Sequence, residues 1–254
     1  VGDAQQRIYG HTAVLSKCGI RIQGRARKLR INYRTTEQIR SAADSIFRSS
    51  GADVADSVFA AVRGIGDASP ATTFDDLDGG ESPTGDSRSL MSGPVPEARR
   101  FASQSDEMDA VREWIYGLCG TAENMDGDDS EVERIDPRNV CVVARSRYCI
   151  DQWREALNNG LPYGVYQLGR DAENRQRQGI RVATMHRVKG LEFDYVVVVD
   201  VNDGVCPPKP ALQSAGTDPA ALNEIYKEER SLIYVAMTRA KKGVLLTGVS
   251  AQVG

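Results

Sequence analysis

The chain is expected to adopt an α/β fold, a mainly parallel sheet with helices on both faces. Three features of its 254 residues lead there. Strand-like and helix-period segments alternate along the sequence, the pattern of parallel strands joined by helical crossovers. Residues 195–201 read YVVVVDV, an apolar run without polar alternation, as expected of a strand covered on both sides. The segment after Asp218 is punctuated as a helix, with aspartate at the cap and Pro219 in the first position.

Taken in order, residues 29–32 read as a short strand. Thr35 and Gln38 then form a capping box for a helix with an apolar face of Ile39, Ala42, Ala43, Ile46 and Phe47. Residues 51–96 are rich in Gly, Ser, Pro and Asp, with one weak helical patch at 54–62, and residues 65–96 read as a long, partly mobile loop. Ser105 is a candidate N-cap before Met108, Val111, Ile115 and Leu118 at helical spacing. An acidic, glycine-containing loop follows, then a strand at Val140–Ala144 and a helix carrying Ile150, Trp153 and Leu157. The last helix is expected to place Lys241 and Lys242 in its final turn with Gly243 beyond, and residues 244–249 close the sheet.

Composition narrows the function classes. With 41% hydrophobic and 26% charged residues the chain is ordinary soluble globular material. A net charge of -3 gives no global pull toward nucleic acid, so such contact must come from a local basic surface. Arg21, Arg25, Arg27, Lys28, Arg30 and Arg34 form such a cluster, while residues 67–86 and 123–136 are acidic; two solvated faces and a phosphate-tracking surface both fit. Five cysteines, odd in number and without a C-x-x-C pair, favour a reducing compartment, and two histidines argue against a metal cage. No apolar run reaches membrane-spanning length and no signal-peptide pattern opens the chain, so a cytoplasmic protein without membrane contact is expected. Oligomeric state is not legible.

Several side chains are candidates for chemistry. Arg34 follows its strand just before a helix N-terminus, where phosphates are usually met. Thr184 and His186 can donate to a phosphate or stack on a base, Lys189 adds a cation, and Gly190 allows close backbone approach. Arg239 falls near the inward stripe of the last helix, where an arginine needs an anionic partner. Each has a plain structural alternative: Glu229 and Arg239 could pair with neighbours to hold the fold, and His186 could be a satisfied interior histidine. No Gly-x-x-x-x-Gly-Lys-Ser/Thr phosphate loop is present.

Four segments keep a shared order and set of residue types: residues 1–9 (VGDAQQRIY), 29–36 (LRINYRTT), 182–194 (VATMHRVKGLEFD) and 228–240 (EERSLIYVAMTRA). In these the chain resembles the C-terminal part, from motif III onward, of UvrD/Rep/PcrA-type superfamily 1 DNA helicases. The resemblance implies a second RecA-like domain over residues 25–254, lacking its own phosphate loop. Residues 1–24 would be the tail of the first RecA-like domain and its linker, and the chain reads as a piece of a longer protein. It further implies an ATP-dependent, 3′ to 5′ DNA helicase or translocase, with ATP and Mg²⁺ bound mainly by the absent first domain. The fragment alone would be inactive.

By the same resemblance Gln6, Arg34 and Arg239 meet the γ-phosphate, the arginines as fingers, and Glu192 with Gly190 meets the nucleotide. Tyr9, Thr184, His186 and Lys189 lie along single-stranded DNA. His11 and Thr12 depart from the aromatic and arginine that relatives commonly carry there. Only residues 163–179 are open to an insertion between the later motifs, too few for the 2B domain of larger relatives. A degenerate nucleic-acid-binding module and a helicase–nuclease subunit remain as alternatives.

Overall fold

A computed structural model of the chain describes residues 31–48, 53–64, 72–75, 80–83, 88–120, 134–169 and 173–250. Gln6, Tyr9 and most of the basic cluster lie outside the described residues. Six strands form the central sheet: β5 (Glu97–Phe101), β6 (Val140–Ala144), β7 (Val165–Gln167), β8 (Ile180–Thr184), β9 (Phe193–Val198) and β10 (Ala240–Val249). Their spatial order is β5-β10-β9-β6-β8-β7, and every neighbouring pair is parallel. The α/β architecture with a parallel sheet is therefore as the sequence indicated.

Helices cover both faces because the strands are apolar on both. On one side α1 (Glu37–Ser45), α2 (Val54–Arg63) and α6 (Pro219–Met237) pack Ile39, Val58, Phe59, Leu232, Ile233 and Met237 against Cys141, Val143, Val196, Val198 and Leu246. On the other, α3 (Gln104–Cys119) and α4 (Arg147–Gly160) pack Val111, Ile115, Ile150, Trp153 and Leu157 against Val140, Val142, Val197, Val199 and Leu245. The period-two alternation within Val140–Ala144 sends successive residues to opposite cores. Each fully buried Leu, Ile or Val contributes about 1.5–3 kcal/mol, so the two cores rather than surface pairs hold the fold. The short helix α5 (Lys209–Ala215) precedes α6. Among the described residues, no helix is long and apolar enough to cross a membrane.

Four local expectations are corrected. The first strand, β1, runs Ile31–Thr36 and lies outside the main sheet, pairing in parallel with β4 (Arg88–Met91). Thr35 does not cap the first helix: its hydroxyl receives the Asn32 amide at 2.9 Å, and Thr36 takes the cap by accepting the Ile39 N–H. The 65–96 loop contains β4 and an antiparallel pair, β2 (Thr72–Asp75) with β3 (Gly80–Pro83). Ser103, not Ser105, caps α3.

A fifth correction bears on the site. Helix α6 ends at Met237 with Thr238 as its cap, so Lys241, Lys242 and Gly243 are strand residues rather than a helical last turn. Pairing with β9 outweighs helical continuation there, because it places the strand between two neighbours. Gly243 is selected for packing: a Cβ would sit 2.8 Å from the Tyr195 ring.

Candidate functional site

Asn32 organises the first part of the site. Its side-chain oxygen accepts the Arg34 N–H at 2.7 Å while its amide donates to Thr35, so the N-Y-R-T stretch is held by its own first residue. Arg34 is thereby presented at the surface within β1, not at the end of a strand of the main sheet, and Tyr33 beside it is 69% exposed. The Arg34 guanidinium reaches Glu192 at 2.7 Å. Lys241, from the start of β10, reaches the other oxygen of Glu192 at 3.1 Å.

Glu192 is consequently held ionised. The Lys241 hydrogen bond, helped by Arg34 and Arg239 against a burial penalty, keeps its carboxyl below the usual range. Arg239 stands behind this group, in the turn between α6 and β10, and its carbonyl accepts the Phe193 N–H at 3.0 Å. The side chain is not aimed outward as the resemblance implied. It is 1% exposed and donates to the Val235 carbonyl at 3.0 Å and the Thr238 hydroxyl at 3.2 Å. The reason is local: with the helix closed by Thr238, the guanidinium folds back onto the last carbonyls of α6. Arg34, Glu192, Lys241 and Arg239 thus gather where β9 and β10 begin. A groove of about 250 Å³ adjoins them, lined by Asp136, Arg138, Glu173, Arg181, Glu192 and Lys241 among others.

Three cations around one carboxylate suit a polyanionic ligand better than a bare divalent cation. Among the described residues, no group of three or more His, Cys, Asp or Glu side chains could hold a metal ion. The set fits a nucleotide's sugar and phosphates, with any Mg²⁺ left to groups elsewhere.

A second constellation lies at the opposite edge. Thr184 ends β8 directly across from Ala144 at the end of β6, and the Met185 N–H donates to the Ala144 carbonyl at 2.9 Å. Arg145 follows and binds Glu229 of α6 through both carboxylate oxygens at 2.8 and 2.9 Å. His186 is half-buried there; burial, with the Arg145 charge, lowers its basicity and favours neutral imidazole at pH 7. Glu229, 2% exposed, has its carboxyl pushed up by burial, which the Arg145 pair opposes.

Not all of the motif residues gather at strand carboxyl ends. Thr184 and His186 do, but residues 185–192 cross to the amino edge and deliver Glu192 there. At ~3.3 Å per residue, strands of this length put the two edges roughly 15–20 Å apart. Lys189 and Gly190 are exposed on this crossing, Gly190 with φ +87°, a conformation that favours glycine. Sequence reasoning missed Lys241, assigned to a helix, and Arg145, which no motif marked. The strand start after Arg239 was the readable signal for Lys241.

Comparison with known proteins follows this geometry. Residues 165–250 match the UvrD-like helicase C-terminal domain. The Bacillus subtilis (strain 168) protein named "Putative ATP-dependent DNA helicase YjcD" is 34% identical over 123 residues, which cover 48% of this chain and 15% of that protein. DNA helicase II of Escherichia coli (strain K12) is 30% identical over 134 residues, 52% of this chain and 17% of its own length. The crystal structure of the C-terminal domain of a "possible DNA helicase" from Lactobacillus plantarum WCFS1 aligns at 17% identity and TM-score 0.47, covering 86% of this chain and 88% of that one. The chain spans less than a fifth of the two curated relatives.

Proposed function

We infer, for a chain that carries a UvrD/Rep-type helicase C-terminal region, that it is the second RecA-like domain of an ATP-dependent DNA helicase or translocase. Residues 25–254 form that domain in this reading, and residues 1–24 lead in from the first. The observation that carries it is the meeting of Arg34 and Lys241 on Glu192, with Arg239 directly behind. Residues remote in sequence thus converge on one carboxylate, and in this reading that edge faces a cleft closed by a preceding RecA-like domain. ATP and Mg²⁺ sit in that cleft, held mainly by the phosphate loop of the other domain.

When bound, the nucleotide supplies the phosphoryl group transferred to water. Glu192 accepts from the sugar hydroxyls, and Arg34 leaves Glu192 for the γ-phosphate. Arg239 releases the Val235 carbonyl and the Thr238 hydroxyl and joins it, meeting charge as it develops. Gln6 serves the same phosphate. Across the sheet, Thr184, His186 and Lys189, with Tyr9, follow single-stranded DNA, and closure of the cleft moves that strand with 3′ to 5′ polarity.

The test is turnover. The chain alone, given ATP, Mg²⁺ and oligonucleotide, is expected to hydrolyse nothing above background; joined to a phosphate-loop domain, Arg34→Ala and Arg239→Ala each lower DNA-stimulated kcat by ~10³–10⁵. A second reading is favoured by one observation, the burial of Arg239 at 1% exposure. It makes the chain a degenerate nucleic-acid-binding module with a structural arginine. Full DNA-stimulated activity in the Arg239→Ala protein, with lowered stability, would select it.

A further inference from the structure

We propose that Tyr148 is a base-stacking residue for single-stranded nucleic acid at the carboxyl edge of the sheet. The proposal rests on the reading of that edge as the strand-binding one. Tyr148 lies in the first turn of α4, and at 73% it is the most exposed large hydrophobic side chain among the described residues. The ring belongs to neither core. Its hydroxyl accepts a hydrogen bond from the Gln152 amide one turn later at 3.3 Å, and most of the side chain remains open to solvent.

Position supplies the ligand chemistry. The Ser146 hydroxyl caps α4 through the Cys149 N–H, fixing the turn that starts where β6 ends. Ala144 pairs with Thr184, so the first turn of α4 and the residues after β8 leave the sheet side by side. Arg145 lies close enough to His186 to lower its basicity. Arg147, which precedes it in the chain, is exposed. Asp151, the acid nearest in sequence, pairs with Arg154 at 3.5 Å, and Glu229 of α6 is held by Arg145. A water-facing aromatic on the same edge of the sheet as an exposed arginine and a neutral histidine suits unpaired bases on a phosphate backbone, since every base has a π-face and binding need not read sequence.

The test is anisotropy titration of this chain against labelled oligothymidylate of roughly 16 nucleotides, and against an abasic strand of equal length and charge. Tyr148→Ala is expected to weaken oligothymidylate binding about tenfold and to leave abasic binding unchanged, while Tyr148→Phe keeps wild-type affinity on both. Equal affinity of Tyr148→Ala and wild type for oligothymidylate overturns the proposal alone, as does an equal loss on both strands. Wild-type protein that binds neither strand at low salt overturns the strand-binding reading of the edge along with it.

Discussion

The Arg34 guanidinium sits 2.7 Å from the Glu192 carboxylate although both side chains keep substantial contact with solvent, at 44% and 31% exposure. An ion pair so exposed contributes at most about 1 kcal/mol. In the function proposed above, the pair serves ligand preparation rather than stability, the carboxylate holding the arginine at the edge until a more highly charged anion takes it. Arg34→Ala should therefore shift the urea midpoint by no more than about 1 kcal/mol of stability while abolishing nucleotide-dependent closure. A large loss of stability would recast Arg34 as structural.

Lys241 leads in keeping Glu192 ionised, through its hydrogen bond at 3.1 Å. Replacing it as Lys241→Met should raise the Glu192 titration toward the ordinary carboxylate range, read by carbon NMR of the side-chain carboxyl. A depressed folded-state pKa stabilises above the unfolded value and loses that contribution as pH falls through the folded one. The variant should accordingly lose less stability than wild type on acidification below about pH 4.5. Identical acid limbs would refute the coupling.

Glu107 behaves in the opposite sense. It is fully buried on α3, with one oxygen accepting from the Thr247 hydroxyl at 2.6 Å and the Asp200 N–H at 3.0 Å, while the other has no hydrogen-bond partner. Burial raises its pKa from 4.5 to about 7. A raised folded-state pKa makes the contribution complete below the unfolded value and lost as pH rises through the folded one, here between 4.5 and about 7. Glu107→Gln, neutral at every pH, should remove on the order of 2–3 kcal/mol of this decline. Urea denaturation of both proteins at pH 5 and pH 8 would show it, and parallel pH profiles would count against it.

Glu229 holds Arg145 at the opposite edge with its own side chain 2% exposed. Removing one member of such a pair strands the other, so Glu229→Ala should cost about 3–5 kcal/mol. The double replacement Glu229→Leu with Arg145→Met should recover much of that. A single variant as stable as wild type would show that Arg145 finds solvent without hindrance.

Much of the architecture was legible because its causes are local. The unbroken apolar runs of β6 and β9 announced strands covered on both faces, and Asp218–Pro219 announced the start of α6. The motif residues Arg34 and Glu192 were also legible, as types in a pattern. The limit of α6 was not, since Lys241 and Gly243 fit a helix C-terminus by composition and only pairing with β9 made them strand. Similarly, Thr35 looked like a cap until the Asn32 amide took its hydroxyl.

The sequence by itself determined the main strands and helices of the two cores, which faces of them are apolar, and which residue types could serve a phosphate or a base, because periodicity, capping and chemical type are properties of near neighbours. The tertiary structure alone decided that Glu192 sits at the amino edge while Thr184 and His186 sit at the carboxyl edge, that Lys241 completes the first group, and that the Arg239 guanidinium turns back onto the end of α6. Those facts follow from the order of strands in the sheet and the direction in which each crossing returns. Such order is set by burial and hydrogen bonding summed over the whole chain.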